Sequence, residues 1–232
     1  MMTKRVVGVT AIALALSMVA QNIMFAVTGA PGYGDPIDTV IAWHEQNRAV
    51  VAIAVAQEAV HVPLLLGVLA GLHGIIGRRG GAGADWSRLA MLAGATVAAI
   101  LALYSVTWIG AVLATAESAD ARALFSMLWQ LHAAAFALSL PALGVTMIAV
   151  ALATHRSRLS PPWQRLLALT GGVLLLAVGA FSLDIAAGSP MLFVGLPGLA
   201  VWIIWLLVTG VRMLRAGGAD GSVRASTGTG GR

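Results

Sequence analysis

Glu58 and His61 stand three residues apart in a stretch that is otherwise almost wholly apolar. On a helix that spacing places both side chains on one face. A carboxyl beside an imidazole can share a proton, ligate a metal or hold a solute by hydrogen bonds. Measured inward from Arg48, Glu58 lies roughly 15 Å and His61 roughly 20 Å deep at about 1.5 Å per residue, and His132 lies roughly 15 Å below Arg122. The three side chains therefore share one level, close to the midplane of a bilayer. An unpaired carboxylate there costs at least about 2.5 kcal/mol, which makes Glu58 the foremost functional candidate. Pro63 follows shortly after, and Pro141 lies nine residues past His132; each removes a helical N–H bond, so both helices are expected to bend beside the polar groups.

Gln21, Asn22 and Asp184 fall toward the outer mouth of the polar cavity that this arrangement implies. Thr10, Ser17 and Gln21 mark one face of the first helix, and His132 and Ser139 mark one face of another through their seven-residue spacing. Gln130 is about 200° around the helix from His132 and leaves that face.

The same residues define the metal and haem alternatives. Glu-x-x-His is the helical motif of di-iron bundles, which need two copies and two further carboxylates, and the chain has one copy. A mononuclear metal site would draw on His61, His132 and Glu58, and none is assigned. His61 and His132 could be axial ligands of one b-type haem, the redox alternative, but no cofactor is expected in the leading reading. A second haem on His73 and His155 does not fit, because the two separations along the helices, about 18 Å and about 34 Å, differ too widely. No phosphate loop, GxSxG elbow or HExxH motif is present.

The elements that must carry these residues follow from composition. Of 232 residues, 59% are hydrophobic and 10% charged, with a mean hydropathy of +0.90. Soluble domains carry about 25% charge, so the chain is predicted to be a membrane protein. Six apolar stretches, 6–28, 49–76, 89–115, 123–154, 166–186 and 191–214, are each long enough to cross about 30 Å of hydrocarbon as helix. They are too long and too little alternating for barrel strands, so the expected fold is all-α, a polytopic bundle of six transmembrane helices over residues 1–215. The first stretch resembles a signal peptide only superficially; it continues past Gln21 and Asn22 through Val27 and is taken as an uncleaved helix. Between the first two spans, turn residues from Gly29 to Pro36 lead into a helix-compatible stretch from Ile37 to Arg48 that suits the membrane surface. Residues 216–232, nearly all Gly, Ala, Ser, Thr and Arg, are expected to form a disordered cytoplasmic tail.

Charge gives the orientation. Twelve basic residues fall in the N-terminus, the 77–88 and 155–165 loops and the C-terminal end, whereas the opposite loops hold only Arg48 and Arg122. By the positive-inside rule both termini are cytoplasmic. The formal net charge of +5 is thus a topology signal, and no nucleic-acid partner is expected. Thirteen Arg to one Lys, with abundant Ala and Gly, is the bias of a GC-rich bacterial genome and favours a bacterial plasma (inner) membrane. Zero cysteines exclude disulfides and thiolate chemistry. Trp86 and Trp163 are expected as interfacial anchors, with Trp43 in the outer loop as another belt residue.

The placement of Trp43-His44-Glu45-Gln46-Asn47-Arg48 before the second span, of Arg156 to Trp163 with Pro161-Pro162 before the fifth, and of Trp202 to Arg215 at the close resembles a broad group of uncharacterised bacterial six-helix integral membrane proteins, of the domain-of-unknown-function type. The resemblance covers about residues 5–215. It implies the fold and the plasma-membrane location and carries over no activity. The expected role is therefore drawn from the residues: binding or transport of a small or lipophilic solute, or service as an accessory membrane subunit, with Glu58 titrating and His61 and His132 as its hydrogen-bonding partners. Beside the haem or metal redox protein, the remaining alternative is a structural subunit of a membrane complex. The partners expected are membrane lipids, a small solute and a membrane-protein companion.

Overall fold

A computed structural model describes residues 4–114 and 120–227, with 218–227 as backbone only. Glu117 and Arg232, and the side chains of Asp220 and Arg224, lie outside the described residues. Among the described residues there is no strand, and the elements run α1 (Lys4–Thr28), α2 (Ile37–Gln46), α3 (Arg48–Gly77), α4 (Ala82–Ala114), α5 (Ala121–Arg156), α6 (Pro162–Gly179), α7 (Ser182–Ala186) and α8 (Leu192–Thr227). Six of them, α1, α3, α4, α5, α6 and α8 as far as Gly217, are long and apolar enough to cross a membrane.

These six helices pack in chain order into a closed ring: α1 on α3, α3 on α4, α4 on α5, α5 on α6, α6 on α8, and α8 back on α1. Small residues set the close approaches. A Cβ built on Gly8 would lie 2.8 Å from the Gly210 carbonyl oxygen, and one on Gly172 would lie 2.9 Å from that of Gly144. The first pair joins α1 to α8 and the second joins α5 to α6, with backbones close enough that any side chain would intrude. Gly217 packs on Arg5, so the N-terminal end of α1 and the C-terminal end of α8 share one end of the bundle.

The other end is closed by irregular chain and α2. Asn47 alone separates α2 from α3, its amide donating to the Trp43 carbonyl at 2.9 Å. Asp38 accepts both guanidinium bonds of Arg122, at 2.8 and 2.9 Å, and so ties α2 to the start of α5. The guanidinium holds the Asp38 carboxyl below its usual range, chiefly through these hydrogen bonds. Gly34 and Gly188 meet backbone to backbone, and Gly188 has φ +85°, a conformation that disfavours any side chain. Through that contact the loop before α2 rests on the loop before α8.

Two expectations are corrected. The segment 166–186 is not one helix: α6 stops at Gly179, which packs on the Pro141 ring, and the Ala180 and Phe181 amides turn back to Ala177 and Val178 before α7 begins. At about 27 Å α6 falls slightly short of the hydrocarbon thickness, and α7 makes up the difference. Helix α8 runs unbroken through Pro197, which lies close enough to the helix start for few bonds to be lost. Past Ala216, α8 continues helical to Thr227 where a disordered tail is expected; once begun, a helix gains one bond for each residue fixed. Helices α3 and α5 run unbroken through Pro63 and Pro141.

Candidate functional site

The ring encloses a cavity of about 540 Å³ toward its α2 end, within the roughly 300–1,000 Å³ typical of small-molecule sites. Glu58 and His61 reach it from α3, Gln21 and Asn22 from α1, and His132 from α5. The i, i+3 spacing brings Glu58 Oε2 to 3.5 Å from His61 Nδ1. Gln21 closes the cluster from α1, its amide nitrogen donating to Glu58 Oε1 at 2.9 Å and reaching the Ala54 carbonyl at 3.4 Å. His61 Nε2 pairs with Ser17 Oγ at 2.9 Å. Glu58, His61 and Gln21 are all buried.

His132 belongs to a different part of the same cavity. Its Nδ1 donates to the Tyr104 carbonyl at 2.9 Å. Its ring is held between Tyr104, with centroids 3.8 Å apart and planes 24° from parallel, and Trp129, at 4.9 Å and 22°. Asn22 is exposed at the rim and donates to the Met18 carbonyl at 2.8 Å. Asp184 is not a lining residue. It sits exposed on α7.

Sequence reasoning missed the aromatic wall. Phe25, Tyr33, Trp43, Tyr104, Trp108, Phe125, Trp129 and Phe136 form one connected cluster with His44 and His132. A signal was present: Phe125, Trp129, His132 and Phe136 recur at intervals of four, three and four, which is one helix face. Tyr104 and Trp108 are likewise four apart. Trp43, taken as a belt residue, instead lines the cavity and donates to the Thr28 carbonyl at 2.9 Å.

His44 is the second omission. Trp108 Nε1 donates to His44 Nε2 at 3.0 Å, and His44 Nδ1 donates to the Val40 carbonyl at 2.7 Å. The first bond requires a bare Nε2 and the second a protonated Nδ1, so the ring is the neutral Nδ1–H tautomer. Burial pushes its pKa down in the same direction. Tyr33, from the loop before α2, interacts with the Tyr104 hydroxyl and lies within electrostatic reach of Glu58; burial pushes its phenol well up, so it remains protonated.

Among the described residues no three His, Cys, Asp or Glu side chains converge as a metal site would require. Axial ligation of a haem by His61 would have to displace Ser17 or Glu58 from one of its nitrogens. Among the described residues, no side chain of Lys or Arg lines the cavity. Its chemistry is therefore that of one carboxyl, neutral hydrogen-bonding groups and aromatic faces. Comparison of the chain with family models, with curated proteins and with solved structures gives no match.

Proposed function

We propose that the chain is a multi-pass protein of a bacterial plasma membrane that binds or moves a small lipophilic solute in this cavity, with α2 outside and both termini cytoplasmic. The observation that carries the reading is the cavity itself, walled chiefly by aromatic and aliphatic side chains, with Glu58, His61 and Gln21 converging on it as a hydrogen-bonded polar cluster. Such a combination of apolar wall and few convergent polar groups is what small-molecule sites share. The positive-inside rule supports the orientation: Arg78, Arg79, Arg156, Arg158 and Arg165 stand at the end that holds both termini. Close packing of α1 on α8 at Gly8 and Gly210 seals that end, so solute is exchanged at the α2 end.

The test is thermal unfolding of the detergent-purified protein against a panel of lipophilic solutes. A solute at a hundred times its Kd stabilises by about 2.7 kcal/mol. Ala200→Trp, which places an indole at the cavity rim, should abolish the shift while leaving the unliganded midpoint close to that of the parent. A panel in which no solute raises the midpoint, or an equal rise in Ala200→Trp, overturns the reading.

A further inference from the structure

Among the described residues, Glu58 carries the only carboxyl lining the cavity, and no Lys or Arg side chain lines it. From its own helix it faces His61; from α1 it faces Gln21; Tyr33 and Tyr104 approach from the loop before α2 and from α4. The two other titratable groups on the wall, His44 and His132, each have a ring nitrogen bonded to a backbone carbonyl and lie within the aromatic cluster. A carboxyl at this depth is costly unless it is neutralised or paired. The groups that remain to meet a ligand's charge are a carboxylate and the faces and edges of Tyr33, Tyr104, Trp108 and Trp129, and both carboxylate and aromatic faces attract cations.

The position of the opening adds a second, independent observation. Half of the lining residues are buried; Gly32 in the loop before α2 is exposed, and so are Asn22 on α1 and Leu196 and Ala200 on α8. Asn22 lies about 9 Å below the end of α1, and Leu196 and Ala200 lie about 6 and 12 Å into α8. All three therefore sit at the depth of lipid acyl chains, within about 15 Å of that end of the bundle. Their exposure points to an opening between the α2-end portions of α1 and α8, toward the bilayer, beside the exposed Gly32 of the loop.

We propose that the cavity is selective for lipophilic organic cations, which enter from the adjacent leaflet between α1 and α8 and place their positive charge at Glu58 among the aromatic side chains. This rests on the solute-binding reading above and names the substrate class for the same site. The apolar body of such a molecule would occupy the space between Leu196, Leu199 and Ile203 of α8 and the aromatic wall opposite. A neutral molecule of equal size would gain the apolar contacts alone, and an anion would meet the carboxylate as a like charge.

Equilibrium dialysis of the full chain in nonionic detergent, with three probes of similar body and different charge, decides the matter: tetraphenylphosphonium, triphenylphosphine oxide and tetraphenylborate. The expected result is tetraphenylphosphonium binding at least tenfold tighter than either of the others. Glu58→Gln should reduce cation affinity tenfold or more and leave the neutral probe within about twofold, whereas Glu58→Asp should keep the preference for cation over anion. Leu196→Trp, at the gap, should slow cation association in vesicles at least tenfold; an unchanged association rate overturns entry between α1 and α8. If Glu58→Gln does not give a monodisperse protein, the ranking in the parent and in Glu58→Asp decides. Equal or tighter binding of the neutral or anionic probe overturns the cation assignment and leaves solute binding standing. Binding of none of the three overturns both.

Discussion

Single side chains around the cavity are held by bonds that specify their protonation, and His44 is the clearest case. Its Nε2 must stay bare to accept from Trp108, so protonation removes that bond and leaves the indole N–H unpartnered in a buried position. The folded-state pKa is depressed, which means that the unfolded chain binds the proton more readily. Stability is therefore fully present above the ordinary value of 6.5 and declines as the pH falls below it toward the folded-state value. The measurement is a difference: thermal unfolding of parent and His44→Gln between pH 7.5 and 5. The glutamine carbonyl can still accept from Trp108 but does not ionise, so the variant should lose less stability across that interval. Parallel pH profiles would show that His44 is protonated in the fold. At Glu58 the question is whether Gln21 makes an ordinary interhelical bond, worth about 0.6 kcal/mol in membrane proteins, or satisfies a buried carboxyl whose loss of partner costs about 1–3 kcal/mol. Burial of both groups favours the larger figure. A double-mutant cycle of Gln21→Leu and Glu58→Gln, read by unfolding, should give a coupling energy above about 1 kcal/mol; a value near 0.6 kcal/mol would make the pair merely structural.

Helices were legible to different degrees, and the reasons are physical. The long apolar runs of α1, α3, α4, α5 and α8 declare themselves because lipid demands about 20 uncharged residues for each crossing. Depth arithmetic along α3 and α5 brought Glu58, His61 and His132 to one cavity, since the rise along a helix is fixed. It could not say which faces meet, and His132 proves to be packed by Tyr104 and Trp129 instead of bonded to Glu58. The stop after Gly179 was hidden because no sequence signal records that Pro141 of another helix packs against Gly179. His44 was hidden because α2 is short, and the indole that selects its tautomer comes from α4. Glycines, by contrast, read simply as close packing, and the α1–α8 seam is where that can be measured. A Cβ on Gly210 would lie 2.6 Å from Ile12 Cγ1 and 2.9 Å from the Gly8 carbonyl oxygen. Gly210→Leu is expected to destabilise by about 1–3 kcal/mol, the usual range for overpacking. Gly67 faces only the Thr10 methyl at 3.3 Å, so Gly67→Ala should be close to neutral or mildly stabilising as helix propensity improves. Equal effects at the two sites, measured by thermal unfolding, would mean that the seam yields.

At the scale of the whole molecule, the ring has two unlike ends. One holds both termini and the short connections 78–81 and 157–161, with α1 and α8 in contact at Gly8 and Gly210. The other holds α2, the paired loops at Gly34 and Gly188, and the cavity. Under the proposed function, the side of the membrane on which each end lies determines which leaflet would feed an opening between α1 and α8. The basic residues of the short connections, Arg78, Arg79 and Arg158 among them, argue that the terminal end is cytoplasmic, since only Arg48 and Arg122 stand near the α2 end. Arg122 is moreover bonded to Asp38, which removes much of its weight as a free positive charge. The chain contains no cysteine, so single substitutions can be labelled without background. Asp35→Cys, in the exposed loop before α2, should react with a membrane-impermeant maleimide in intact cells. Arg78→Cys, exposed at the opposite end, should react only after the membrane is permeabilised. The reverse pattern would invert the protein and assign the opening to the cytoplasmic leaflet. Labelling of both residues in intact cells would mean that the chain inserts in two orientations, and the arginine asymmetry would then have failed to bias it.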